Sequence, residues 1–331
     1  MAYTAVACEE NGVPCWDLAG PDDARVLVLP AHGSQLASLR LSPGPGTPAR
    51  EVLEGLPPER IQQAGWEHGT PVLFPFPGRL RDGTYSHGGR VYRMPGSGRH
   101  PLHGLVGLVP WQVTGSGDGA DGAWVATAVE HDDLAVSPEA FPGSYRLEVV
   151  HRLGPDGYRQ EVRVRNVGDV PFPFGYGWHP HFRVPLGPAG SRADCTLRLA
   201  AGARWELSAD LLPTGRRLAV SGSYDLREPN PLGDKSYDDP FTLLEPEPDG
   251  GSRVELDDPA GRLRLWVWAA AEFPHWVIYA PRKSGTVAIE PYTCTPDAFN
   301  LETQGIPTGL RELRPGEEWS TRLAVGLSGT A

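Results

Sequence analysis

An all-β fold, a large antiparallel β-sandwich built as one domain over residues 1–331, is what the sequence predicts. Three observations carry it. Short runs alternating apolar and polar residues recur throughout, Gly- and Pro-rich turns separate them, and no segment holds a helical period for four turns. The 41 Gly and 35 Pro among 331 residues lie dispersed between apolar runs, as turns require, with no low-complexity tract. A chain of this length buries roughly three quarters of its unfolded surface, enough for a core without staples.

The strands follow in order. Residues 25–29 form a short apolar run, and 36–41 another. Residues 123–129 and 145–153 alternate with the two-residue period of a half-buried strand. In 161–165 valines face one way and charges the other. Further runs lie at 196–199, 241–244, 263–268, 276–279, 286–289 and 320–327. Between them fall turn-rich stretches at 42–46, 115–122, 154–157 and 247–251. Residues 62–67 and 137–140 are the two places where a short helix is expected.

Charge and composition exclude several function classes. A net charge of −11, from 30 Lys+Arg against 41 Asp+Glu, argues against nucleic acid and anionic membrane partners. No stretch approaches the ~20 apolar residues of a membrane helix, and the first ten residues carry no signal-peptide pattern, so the expected location is cytoplasmic. Cys8, Cys15, Cys195 and Cys294 form no CxxC pair and fit no zinc spacing; their settings suit buried thiols.

Four segments combine polar residues, aromatics and tight turns. They are Phe74 to Tyr85, which contains Arg79 and Arg81; His100-Pro-Leu-His103-Gly104; Phe174-Gly-Tyr-Gly-Trp178-His179-Pro-His181-Phe182; and Ile289-Glu290 through Asn300. Aromatic faces beside Arg, His and carboxylate edges suit a sugar, whose C–H faces stack while its hydroxyls take directional hydrogen bonds. Glu290 closes a predicted strand, a rigid place for a catalytic group. The alternative for Glu290 is a solvated strand end, and Arg79 could equally pair with Asp82. His100 and His103 straddle a Pro, and neither His pair has an HExxH arrangement, so no metal is expected. Without a GxGxxG, P-loop or GxSxG element, no nucleotide cofactor or serine elbow is expected either. Asp238 and Glu290 could also form a glycosidase carboxylate pair.

Together these segments resemble the aldose 1-epimerase (galactose mutarotase-like) family, in the same order over about residues 30 to 325. Gly78-Arg79-Leu80-Arg81-Asp82-Gly83-Thr84-Tyr85 is similar to the family's Arg element, and His103-Gly104 followed by Trp111 to its His-Gly element. Phe141-Pro-Gly143 and Trp178-His179-Pro-His181-Phe182 match two further motifs, and Glu290 with Pro296-Asp-Ala-Phe-Asn300 the C-terminal one. Three positions depart: Gly78, Trp178 and His181 stand where the family has Asn, Asn and Tyr, and the interval from Glu290 to Pro296 is one residue longer.

The resemblance implies a supersandwich fold and cofactor-free interconversion of the α and β anomers of an aldohexose. Glu290 would be the base and His179 the acid, while Arg79, His103 and Asp238 (or Asp239) would bind the sugar. Mutarotation takes a proton from the anomeric hydroxyl and delivers one to the ring oxygen, roles that a carboxylate and an imidazolium fill. A phosphorylated hexose is the nearest variant substrate, with Arg81, Arg93 or Arg99 to meet the phosphate. A glycosidase and a non-catalytic sugar-binding module are the other readings.

Overall fold

The computed structural model describes residues 2–96 and 98–330. It is mostly antiparallel sheet, 48% strand against 8% helix, which places it in the class the alternating patterns predict. Nine strands form the largest sheet. Its centre runs Ser252–Asp258, Leu263–Ala269, Glu318–Gly329, Gly157–Asn166, Tyr145–Gly154 and Ala123–Glu130. Tyr145–Gly154 and Gly157–Asn166 bury every second residue, so Leu147, Val149, Val162 and Val164 face the core while charged neighbours face water.

An eight-stranded sheet positions the site. It runs Pro213–Ala219, Ala201–Leu207, Tyr237–Leu244, His275–Ala280, Thr286–Tyr292, Gly177–Trp178 and Val72–Leu73, with His181–Arg183 also pairing on Thr286–Tyr292. A five-stranded sheet from Thr4–Glu10 to Arg50–Glu51 completes the main layers. One contiguous apolar cluster links all three, from Tyr3 to Leu327.

Both helix expectations shift. The helix near 62–67 is Pro58–Gln63, started by Pro58 with its preset φ. Residues 137–140 close as a turn through Ala140 N–H to the Ser137 carbonyl at 2.9 Å. The second α-helix, Ala298–Thr303, follows the Pro-Asp-Ala motif and had no periodic signal at six residues. Cys15, Cys195 and Cys294 are buried thiols; Cys8 is half-buried.

Candidate active site

The floor of the site is one face of the eight-stranded sheet. Asp238 and Pro240, Val277 and Tyr279, and Glu290 and Tyr292 are spaced by two on three neighbouring strands, so all six point to the same side. In register, Pro240, Val277 and Glu290 form a row across the sheet, and Asp238 lies opposite Tyr279 in the next. Asp239 therefore points to the other face, where Arg204 Nη1 donates to its Oδ1 at 3.0 Å. Alternation alone separates the two aspartates: Asp238 belongs to the cleft and Asp239 to an ion pair.

Two loops close over this floor. Residues 101–105 zip against 74–80 through His103 N–H to the Gly78 carbonyl (2.8 Å), Leu105 N–H to Phe74 (2.7 Å) and Leu80 N–H to Pro101 (2.9 Å). Gly104 is required at the crossing: its φ is +77°, and a Cβ there would lie 2.1 Å from the Phe74 carbonyl oxygen. The Asp297 carboxylate, fully buried, holds the next turn. Its Oδ1 accepts from the Arg81 N–H (2.9 Å) and from Asn300 Nδ2 (2.7 Å), and its Oδ2 from Arg81 Nε (3.1 Å). Asp297 N–H donates to the Arg79 carbonyl at 2.8 Å. The Pro-Asp-Ala-Phe-Asn motif is thus a clamp on the backbone that carries Arg79.

Between floor and loops lies a cleft of about 260 Å³, at the small end for ligand sites. All five residues singled out in the sequence line it: Arg79, His103, His179, Asp238 and Glu290. His179 Nε2 lies 3.2 Å from Glu290 Oε1, and Tyr292 Oη donates to Glu290 Oε2 at 2.7 Å. His103 meets His179 edge-on with ring centroids 5.2 Å apart, and its Nδ1 accepts from the Gly78 N–H at 3.2 Å. That bond leaves Nε2 as the protonated nitrogen of a neutral His103. Arg79 makes no side-chain hydrogen bond or ion pair among the described residues.

Burial sets the electrostatics. It raises the Glu290 carboxyl well above its ordinary value, against the lowering effect of the Tyr292 hydroxyl and with added repulsion from Asp238. Burial also holds the His179 imidazole well below its ordinary value, helped by His181 and His103. Glu290 favours its protonated form and His179 its neutral one, so the two share a single proton over a broad pH range. His103 is lowered to about 3, first by burial and then by Arg79. Asp238, exposed at the cleft, is raised by partial desolvation and then by Asp239, and Arg79 opposes this.

The departures at 178 and 181 find different places. Trp178 is fully buried in the core, stacked at 5.9 Å on Tyr158, and does not line the cleft. His181 stacks on His179 at 4.6 Å with its Nδ1 against the Gly69 carbonyl (3.2 Å), so it fixes the neighbouring ring. Although His103, His179 and His181 converge, no group of three potential ligands is placed to hold a metal among the described residues. The arginines proposed for a phosphate do not reach the cleft: Arg81 pairs with Asp297 and Arg99 with Asp82 (2.7 Å), and Arg93 lies elsewhere. The residues missed in the sequence are Trp66, Glu67, Tyr279 and Tyr292. Tyr292 was legible, since it shares the face of Glu290 by the two-residue period; Trp66 and Glu67 follow a helix and carried no signal.

A large antiparallel sandwich with a His–Glu pair buried at the floor of a small cleft is the class that fold and site define. The chain belongs to the aldose 1-epimerase family, whose profile matches residues 18–326. A galactose mutarotase-like protein from Clostridium acetobutylicum superposes with a TM-score of 0.88 over 99% of each chain, at 20% identity. A galactose 1-epimerase from Lactobacillus acidophilus does so with a TM-score of 0.75 over 99% of each chain, at 18% identity. At these identities the likeness is one of fold. An uncharacterised Escherichia coli protein, YihR, is 23% identical over 73% of this chain and 75% of its own length.

Proposed function

We propose that the chain is an aldose 1-epimerase that interconverts the anomers of an unphosphorylated aldohexose without a cofactor. The observation that carries this reading is the buried His179–Glu290 contact of 3.2 Å, open to a cleft walled by Arg79, His103 and Asp238. With the shared proton on His179, Glu290 takes the proton of the anomeric hydroxyl as His179 delivers one to the ring oxygen. The C1–O5 bond breaks, the aldehyde rotates about C1–C2, and the two proton transfers reverse as the ring closes on the other face. The pair returns to its starting state after each turnover, so one shared proton suffices. Arg79 and His103 Nε2–H donate to sugar oxygens and Asp238 accepts from hydroxyls, which holds the reacting bond between acid and base.

An unphosphorylated sugar fits the charge of the cleft, where Glu67 and Asp238 line the same walls as Arg79 and no second Lys or Arg does so among the described residues. We expect the protein in the cytoplasm, which cell fractionation checks; no helix among the described residues is long and apolar enough to cross a membrane. Freshly dissolved pure anomers of glucose and galactose, followed by polarimetry, test the activity: equilibration should be faster with the protein than in buffer. Acceleration only for a hexose 6-phosphate would move the substrate assignment. Release of an aryl alcohol from aryl glycosides without faster mutarotation would replace it with a glycosidase using Asp238 and Glu290.

A further inference from the structure

We infer that Cys8 and Cys15 form a reversible redox site, a cross-strand pair that a peroxide converts to a disulfide. The hairpin Thr4–Glu10, Val13–Ala19 places them. Its turn residues Asn11 and Gly12 have φ of +50° and +79°, the two positive values of a type I′ turn, which fixes the register as Glu10 opposite Val13. Counting back, Cys8 stands directly opposite Cys15, and the two side chains share a face. Directly opposed residues of an antiparallel pair have Cα atoms about 4.5–5.5 Å apart, inside the window a disulfide needs. The thiols are already in contact, Sγ to Sγ 2.7 Å. No other pair of the four cysteines is joined in this way among the described residues.

The surroundings divide the two roles. Cys15 is buried in a small second core with Val13, Leu27, Leu29, Ala37 and Ile61, and Cys8 lies at its half-buried edge on the outermost strand. Burial and then the hydrogen bond that the Cys15 thiol donates to Cys8 push the Cys15 thiol up to about 12, so Cys15 does not start the reaction. Cys8 meets the oxidant. Its thiolate attacks one oxygen of hydrogen peroxide, the O–O bond breaks, and the departing hydroxide is protonated to water, leaving a sulfenic acid. Cys15 sulfur then attacks the Cys8 sulfur, its proton leaves, and the sulfenic oxygen departs as a second water. Two thiols are oxidised by two electrons and one peroxide is reduced to two waters. The pair lies away from the cleft and plays no part in the proposed catalysis.

The folded protein, treated with a small excess of hydrogen peroxide and then alkylated under denaturing conditions, tests this. Titratable thiols should fall from four to two, the intact mass before alkylation should drop by two hydrogens, and one cross-linked peptide should join Cys8 to Cys15. Dithiothreitol should restore all four. Cys8→Ser and Cys15→Ser should each abolish the cross-link; circular dichroism confirms that each variant is folded. A gain of oxygen at Cys8 with Cys15 still alkylated, or disulfide-linked dimers through Cys8, would overturn the proposal.

Discussion

Glu290 and His179 are each buried and each disfavour their charge, and this gives a sharp expectation for their removal. Glu290→Gln keeps the shape and the Tyr292 contact but cannot accept the anomeric proton; His179→Asn cannot deliver one. Each should lower kcat on the order of 10²–10⁴-fold with a much smaller change in KM, read from mutarotation initial rates. The double variant should be little worse than the worse single one, because both groups serve one coupled transfer. On the pH axis, a second proton on the pair silences the base and loss of the shared proton silences the acid. The rate should therefore be bell-shaped, with limbs that belong to the pair. Asp238 and Asp239 were indistinguishable as sequence neighbours; the register of their strand against the face that carries Glu290 settles which one faces the cleft. Asp238→Asn should raise KM while the melting temperature holds. Asp239→Ala should instead cost roughly 1–3 kcal/mol of stability by leaving Arg204 without its acceptor, with KM little changed.

Strands were the legible elements, because burial on one face writes a two-residue period into 145–153 and 161–165. Thr4–Glu10 was not legible: as an edge strand with both faces partly exposed it carries no such contrast. The Arg79 and His103 loops were legible as motifs only, since their function depends on contacts between segments far apart in sequence. Asp297 reaches the Arg81 amide across 216 residues, a link that no local pattern discloses. Two changes probe these loops. Gly104→Ala forces a Cβ into the Phe74 carbonyl at a positive φ, which should cost on the order of 3 kcal/mol or more, seen as a lowered melting temperature. Asp297→Ala strands the part-buried Arg81 backbone amide and the Asn300 side-chain amide. It should lose about 2–3 kcal/mol and also raise KM, because the backbone under Arg79 loosens. A variant that melts lower with KM unchanged would show that the clamp serves stability alone.

At the scale of the molecule, the continuous cluster from Tyr3 to Leu327 supports a single cooperative unit, and urea should unfold the chain in one transition by both fluorescence and circular dichroism. The pH dependence of that transition follows from histidines buried neutral. His151 sits in the core with Nε2 near Ser34 Oγ (2.9 Å) and Nδ1 near Tyr158 Oη (2.7 Å). Burial lowers His151 to about 3, and burial is likewise the leading cause for His103 at about 3 and for His181 and His275 at about 4. Each titrates near 6.5 in the unfolded chain. Between that value and about 4 the unfolded state binds more protons than the folded one, so acid favours unfolding. The stability they give is full above 6.5 and declines as pH falls, by up to about 1.4 kcal/mol per pH unit for each histidine. Glu51, Asp238, Asp239 and Glu290 work in the opposite direction, since their raised values make the folded state hold protons the unfolded chain has released. Seven histidines are lowered in all, with His32, His131 and His179 completing the set, so they outnumber those four carboxylates. The urea midpoint should thus fall steadily from pH 7 to pH 5. His151→Gln, which can still bond Ser34 or Tyr158 but does not titrate, should be less stable at pH 7 yet show a shallower slope, by close to one proton. A midpoint that stays flat or rises on acidification would mean that the carboxylates dominate, and an unchanged slope in His151→Gln would mean that this histidine is protonated in the folded core.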